Sequence, residues 1–173
     1  STDEAFAALK SDGSVVTWGG WGGDSTSVSA ELNSGVISIH STPHAFAALK
    51  SDGSVVTWGG SPNGGDSSSV SSDLTSGVTE IFSTGSAFAA LKSDGSVVTW
   101  GSTYGGDSSS VSSDLSSGVN SIYSNKWAFA ALKSDGSVVT WGESSVGGDS
   151  SSISSELSSG VIKIYSTERA FAA

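Results

Sequence analysis

The chain has 173 residues, no Cys, and 7 Lys and Arg against 17 Asp and Glu, a formal charge of −10. That length fits one domain hiding about two-thirds of its unfolded surface; disulfides, thiolate metal sites and cysteine nucleophiles are excluded. The acidity opposes binding to nucleic-acid phosphates or anionic lipid, and no apolar run is long enough to cross a membrane.

Ser contributes 44 residues and Gly 23, a bias that by itself points to disorder. Here apolar segments interrupt it at a fixed spacing. The segment AFAALKSDGSVVTWG starts at Ala5, Ala45, Ala87 and Ala128, and a truncated copy starts at Ala170. A period near forty residues is the mark of a propeller or solenoid and makes residues 1–173 one repeat domain. In chain order, each AFAALK and SVVTW pair flanking Asp-Gly predicts a hairpin: Ala5–Trp18, Ala45–Trp58, Ala87–Trp100 and Ala128–Trp141. The pattern predicts positive φ at both Asp and Gly of the turn.

After each hairpin, GGDSSSVSSDLSSG or a variant predicts a short helical turn. Asp24, Asp66, Asp107 and Asp149 are its expected N-caps, and Gly35, Gly77, Gly118 and Gly160 are expected to end it. The runs VISIHS, VTEIFS, VNSIYS and VIKIYS then predict a third strand, with apolar residues three apart. AFAAL is apolar on both faces, so the strand is expected to be covered on both sides, as in a blade between two blades.

The repeated ALKSDGSVVTWG with SGV upstream resembles the repeat of the regulator-of-chromosome-condensation family. It is most similar to the short-bladed branch that includes β-lactamase inhibitor protein II. The resemblance covers essentially the whole chain and implies an all-β propeller of three-stranded antiparallel blades. The family's usual ring has seven blades and this chain carries about four; its basic chromatin-binding surface has no counterpart here. Propellers of this kind serve as exchange factors, inhibitors and scaffolds, so the fold does not choose among them.

The segments STDEAFAALK and STERAFAA, at the two ends, are versions of one sequence. They imply a partial ring, either a piece of a longer array or a half-ring completed by a second chain. A closed four-bladed ring is the tighter alternative. The start at Ser1 implies a processed product or a piece of something longer, and no signal or transit peptide is visible. Ser, Gly and acidic residues without Cys suit a secreted or cell-surface protein, an internal compartment being the alternative.

Neither catalysis nor a cofactor is expected. His40 stands where Phe82, Tyr123 and Tyr165 stand in other copies, and reads as a packed ring. His44 lies in a variable loop, and a metal site joining both His to Asp3 or Glu4 has little to support it. The GGD aspartates leave a calcium-dependent adhesion repeat as one alternative. The carboxylates at 31, 73, 114 and 156 read as a solvated face.

Comparison among the copies is more telling. Strands scarcely vary, while two loop sets do. One follows Trp-Gly (Gly20–Trp21, Ser61–Asn63, Ser102–Tyr104, Glu143–Val146). The other precedes AFAA (Asp3–Glu4, Thr42–His44, Thr84–Ser86, Asn125–Trp127, Thr167–Arg169). Each set is expected to ring an end of the scaffold. Trp21, His44, Tyr104, Trp127 and Arg169 are the candidate partner-binding residues, since exposed aromatics and Arg are enriched at hot spots. The function read from this is a non-catalytic interaction or scaffold module with a protein partner, an accessory or structural subunit of a larger assembly. A secreted hydrolase inhibitor is the alternative, and self-association through the chain ends is a further expectation.

Overall fold

The computed structural model describes residues 1–173 as strands arranged in antiparallel, propeller-type sheets. Three blades are complete: β3–β5 (Val36–Ser41, Ala45–Lys50, Val55–Gly59), β6–β8 (Val78–Ser83, Ala87–Lys92, Val97–Gly101) and β9–β11 (Val119–Ser124, Ala128–Lys133, Val138–Gly142). Two-stranded sheets flank them: the hairpin of β1 (Ala5–Leu9) and β2 (Val15–Gly19), and the pair β12 (Tyr165–Ser166) and β13 (Phe171–Ala172). A blade therefore begins at the SGV segment, and the four hairpins fall in the first four sheets.

In every complete blade AFAALK is the middle strand, paired on both edges and buried on both faces. Its side chains alternate between neighbours. Ala45, Ala47 and Leu49 meet the following blade at Phe88 and Trp100, over Leu74, Val78 and Ile81. Phe46 and Ala48 join Trp58 in the opposite direction, against Ala5. Small Ala side chains let adjacent sheets approach, and the stacked Phe–Trp pair fills the space (Phe46–Trp58 5.1 Å, Phe88–Trp100 5.3 Å, Phe129–Trp141 5.2 Å between centroids). Offset aromatic pairs at such distances favour stacking beyond their buried area.

The three-residue apolar spacing of the first strands comes from a bulge. The register shifts between Val36 and Ser38, and between Val78 and Glu80. One extra residue there lets Val78 and Ile81 face the same core although an uninterrupted strand would turn them apart.

Each hairpin turn differs from expectation in one respect. Gly13, Gly53, Gly95 and Gly136 alone take positive φ, since no non-glycine residue does. The aspartate instead turns its carboxylate back: Asp12 Oδ1 accepts from the Ser14 amide at 3.0 Å and the Ser14 hydroxyl at 2.6 Å. These bonds, the hydroxyl first, pull the Asp12 pKa down to about 2. The turn also clips the next unit, the Gly13 carbonyl accepting from the Val36 amide at 3.0 Å. A Cβ on Gly13 would lie 2.9 Å from the Gly35 nitrogen, so this approach requires glycine.

The expected helical turns are present as 3-10 turns: Thr26–Val28, Ser68–Leu74, Ser109–Val111 and Ser151–Ile153. Asp24, Asp66, Asp107 and Asp149 stand one residue before the N-cap rather than on it. Each accepts from the amide two residues on at 2.9 Å, closing an Asx turn. The next Ser ties the turn to its blade through the Thr of VVTW, as in Thr57–Ser67 and Thr99–Ser108, both 2.9 Å.

Candidate functional site

Both variable loop sets lie at one end of the blades. The loop before AFAA enters the middle strand, and the loop after Trp-Gly leaves the antiparallel neighbour, so pairing brings them together. Backbone bonds join them: Gly60 N donates to His44 O at 2.7 Å, Ser102 N to Ser86 O at 2.9 Å, and Glu143 N to Trp127 O at 3.1 Å. The expectation of loop rings at both scaffold ends is thus corrected to one face, opposite the Ser-Asp-Gly turns.

This face is continuous between sheets. Asp3 N donates to Pro43 O at 2.9 Å, Gly85 N to Lys126 O at 2.8 Å, and Lys126 N to Glu168 O at 3.3 Å. Beneath it stands a row of short polar residues that sequence reasoning passed over. Thr42, Thr84 and Asn125 are buried and accept from the first amide of the following strand: Ala45 N at 3.0 Å, Ala87 N at 3.1 Å and Ala128 N at 2.8 Å. Thr42 Oγ1 and Asn125 Nδ2 also reach the other loop set, at Asn63 O and Val146 O. The recurring signal was legible as Ser-Thr-x-x-Ala, with Asn in the fourth copy. Loop tips vary upon fixed roots.

The candidate residues fall into two groups. Tyr104, Trp127 and Arg169 line one cleft of about 330 Å³ with Glu143, Ser145 and Val146. Its walls come from loops of three successive sheets. Tyr104 and Arg169 are exposed, Trp127 is half-buried, and Lys126 Nζ lies 5.3 Å from the Trp127 ring centre. The cleft thus combines aromatic surface, the Arg169 guanidinium and one carboxylate, Glu143.

Trp21 and His44 form the second group, apart from that cleft. Their rings stack at 5.3 Å and 24°. The Trp21 loop is the shortest of its set, and Gly22 consequently lies against the His44 carbonyl, whereas Gly64 and Gly105 lie against Phe88 and Phe129. The Gly64 and Gly105 carbonyls accept from Trp100 and Trp141 Nε1 at 3.0 Å. Trp58 Nε1 and His44 Nδ1 are buried without a partner.

His40 is partly buried, which lowers its pKa, and its Nε2 lies 3.1 Å from Ser38 Oγ. No three His, Asp or Glu side chains converge in a metal-binding arrangement. The carboxylates at 31, 73, 114 and 156 are exposed.

No family model matches the chain, and no curated protein matches it by sequence. Solved structures match its fold. The ectodomain of the Physcomitrella patens receptor kinase CR4 aligns with TM-score 0.55 and 19% identity over 86% of this chain and 41% of that one. Yeast RCC1 (Prp20), solved bound to Kap60, gives 0.55 and 18% over 82% and 40%. Human WBSCR16 gives 0.50 and 21% over 80% and 45%. The chain spans about two-fifths of the first two. The fold defined by these blades and these similarities is that of a partial β-propeller, similar to the propeller of RCC1.

Proposed function

We propose that the chain is a non-catalytic protein-recognition module of the regulator-of-chromosome-condensation repeat type, serving as an accessory or structural subunit of a larger assembly. The observation that carries this reading is the convergence of both variable loop sets on one face, with Tyr104, Trp127 and Arg169 around a single cleft. Side chains with few rotatable bonds and large amphipathic area bind at low entropic cost. The buried Thr and Asn roots hold that face in place before a partner arrives, which reduces the ordering cost of association. The net charge of −10 favours a partner surface that is basic or neutral.

The test is affinity capture from the native source with the chain as bait, beside a Tyr104→Ala/Trp127→Ala variant of equal thermal stability. The reading expects a stoichiometric partner whose Kd weakens at least about tenfold in the variant, the size expected for loss of hot-spot side chains. Equal capture by both baits overturns it. Assaying the captured partner for hydrolase activity separates an assembly subunit from an inhibitor.

A further inference from the structure

The first glycine of each Gly-Gly-Asp segment has a recurring task at the junction between sheets. Its carbonyl accepts from the tryptophan of the next blade: Gly64 O from Trp100 Nε1 and Gly105 O from Trp141 Nε1, each at 3.0 Å. Between the first hairpin and the blade β3–β5 the same bond is not made. Five residues separate Trp18 from Asp24, against seven between Trp58 and Asp66 and six between Trp100 and Asp107. The short loop holds Gly22 against the His44 carbonyl. Trp58, only 2% exposed, is left with an indole N–H that has no acceptor. A buried donor without a partner is costly, so an acceptor atom brought to it is bound with more gain than at a solvated donor.

Trp58 also borders an open groove of about 300 Å³, with Trp21, Asp24, Ser27 and Thr57 along its other sides. His44 lies against one face of the Trp21 ring at 5.3 Å, and the ring remains 60% exposed. Tyr104, in the same loop of a sheet with neighbours on both sides, is 52% exposed, so an open ring belongs to this loop and not to its place in the chain. A groove two junctions further on is bordered by the matching Ser110 and Thr140, but by no aromatic residue. The pairing of an exposed indole face with a buried indole donor therefore belongs to the first groove.

These groups select one ligand chemistry. The Trp58 N–H requires an acceptor, the Asp24 carboxylate a donor, and the Trp21 ring a flat apolar surface. Asp24 and the net charge of −10 oppose an anion, and a cation offers nothing to the Trp58 donor. A sugar ring carries all that is required: hydroxyls that both donate and accept, and a face of C–H groups. We propose that this groove binds a neutral sugar ring. One hydroxyl oxygen accepts from Trp58 Nε1 where a glycine carbonyl does so at the other junctions, a second hydroxyl donates to Asp24, and the C–H face lies on Trp21. The site is separate from the Tyr104, Trp127 and Arg169 cleft and does not depend on that cleft's binding a protein.

The chain has six tryptophans, whose indole N–H signals are resolved by nitrogen-15 magnetic resonance; the signal lost in Trp58→Phe is that of Trp58. Glucose, galactose, mannose and N-acetylglucosamine are titrated singly at millimolar concentration, with inorganic phosphate as an anionic acceptor. The proposal expects at least one of the four sugars to move the Trp58 signal saturably and phosphate to leave it in place. Trp21→Ala, at an exposed position, is expected to keep the circular dichroism of the fold and to weaken the Kd about tenfold, the size of one lost ring contact. Asp24→Asn, which retains the acceptor of the Asx turn, is expected to weaken it less. The Tyr104→Ala/Trp127→Ala variant is expected to bind the sugar unchanged, whether or not it loses a protein partner. No saturable shift with any of the four sugars overturns the proposal. So does sugar binding indifferent to both Trp21→Ala and Asp24→Asn, sugar binding lost with Tyr104 and Trp127, or a Trp58 signal that responds to phosphate and not to sugar.

Discussion

The interior blades and the terminal hairpin use the same residues to opposite effect. Phe88 and Trp100 are buried between two sheets and anchored to the preceding blade through the Gly64 carbonyl. Phe6 and Trp18, identical in type and still stacked, are each half exposed. The stacked pair is thus a local product of the hairpin, whereas its burial belongs to the junction. In a repeat architecture stability lies substantially in nearest-neighbour interfaces, so identical substitutions are expected to differ greatly with position.

The largest contrast is expected for aromatic truncation. Phe88→Ala removes a fully buried ring, a change that typically costs about 3–5 kcal/mol, while Phe6→Ala, half exposed in the single chain, costs well under half as much. Urea midpoints at low protein concentration check this, and equal shifts would show that the terminal hairpin is packed like the others.

Glycine substitutions sharpen the same comparison. A Cβ on Gly64 would lie 2.5 Å from the Phe88 ring, whereas one on Gly160 meets nothing within 4 Å, and both positions have positive φ. Gly160→Ala is expected to cost about 1–2 kcal/mol for the left-handed backbone alone. Gly64→Ala adds about 1–3 kcal/mol of overpacking. Melting temperatures of the two variants order them.

A smaller effect separates two buried tryptophans. Trp100→Phe loses a hydrogen bond to Gly64, while Trp58→Phe removes an indole N–H that has no partner. Trp58→Phe is therefore expected to be the milder by about 1 kcal/mol, read from paired denaturation curves.

Smallest is the dependence on acid. The Ser hydroxyl and amide in each hairpin turn hold Asp12, Asp52, Asp94 and Asp135 below the ordinary value of 3.8. A carboxylate with a lowered folded pKa contributes stability that is complete above the unfolded value and lost as pH falls through the folded one. Melting temperature is expected to decline between about pH 4 and pH 2, and to decline less when the four residues are replaced by Asn. An unchanged profile would show that the turn bonds do not favour the charged form.

The repeat, the hairpins, the third strand and two-sided burial of AFAALK were legible because each rests on local periodicity. The turn was misjudged because Asp-Gly alone does not reveal that Asp12 bonds Ser14, which leaves Gly13 as the only left-handed residue. The expected caps fell one residue early for a similar reason: each Asp bonds the amide two residues on in an Asx turn, which leaves the following Ser as the N-cap. Within the site, the variable tips were readable by comparing copies, but the meeting of Tyr104, Trp127 and Arg169 depends on how three successive sheets pack. Trp21 and His44 pair because one loop is short, a distance effect that residue type does not announce.

The central claim is that burial of the stacked Phe–Trp pair and of AFAAL comes from packing of one blade on the next, not from the hairpin itself. Hydrogen exchange along the four AFAAL strands tests it most directly. The account predicts slow exchange at Ala45–Lys50, Ala87–Lys92 and Ala128–Lys133 throughout. It predicts faster exchange in Ala5–Leu9, which pairs with β2 alone. Exchange in Ala5–Leu9 as slow as in the interior strands would contradict it.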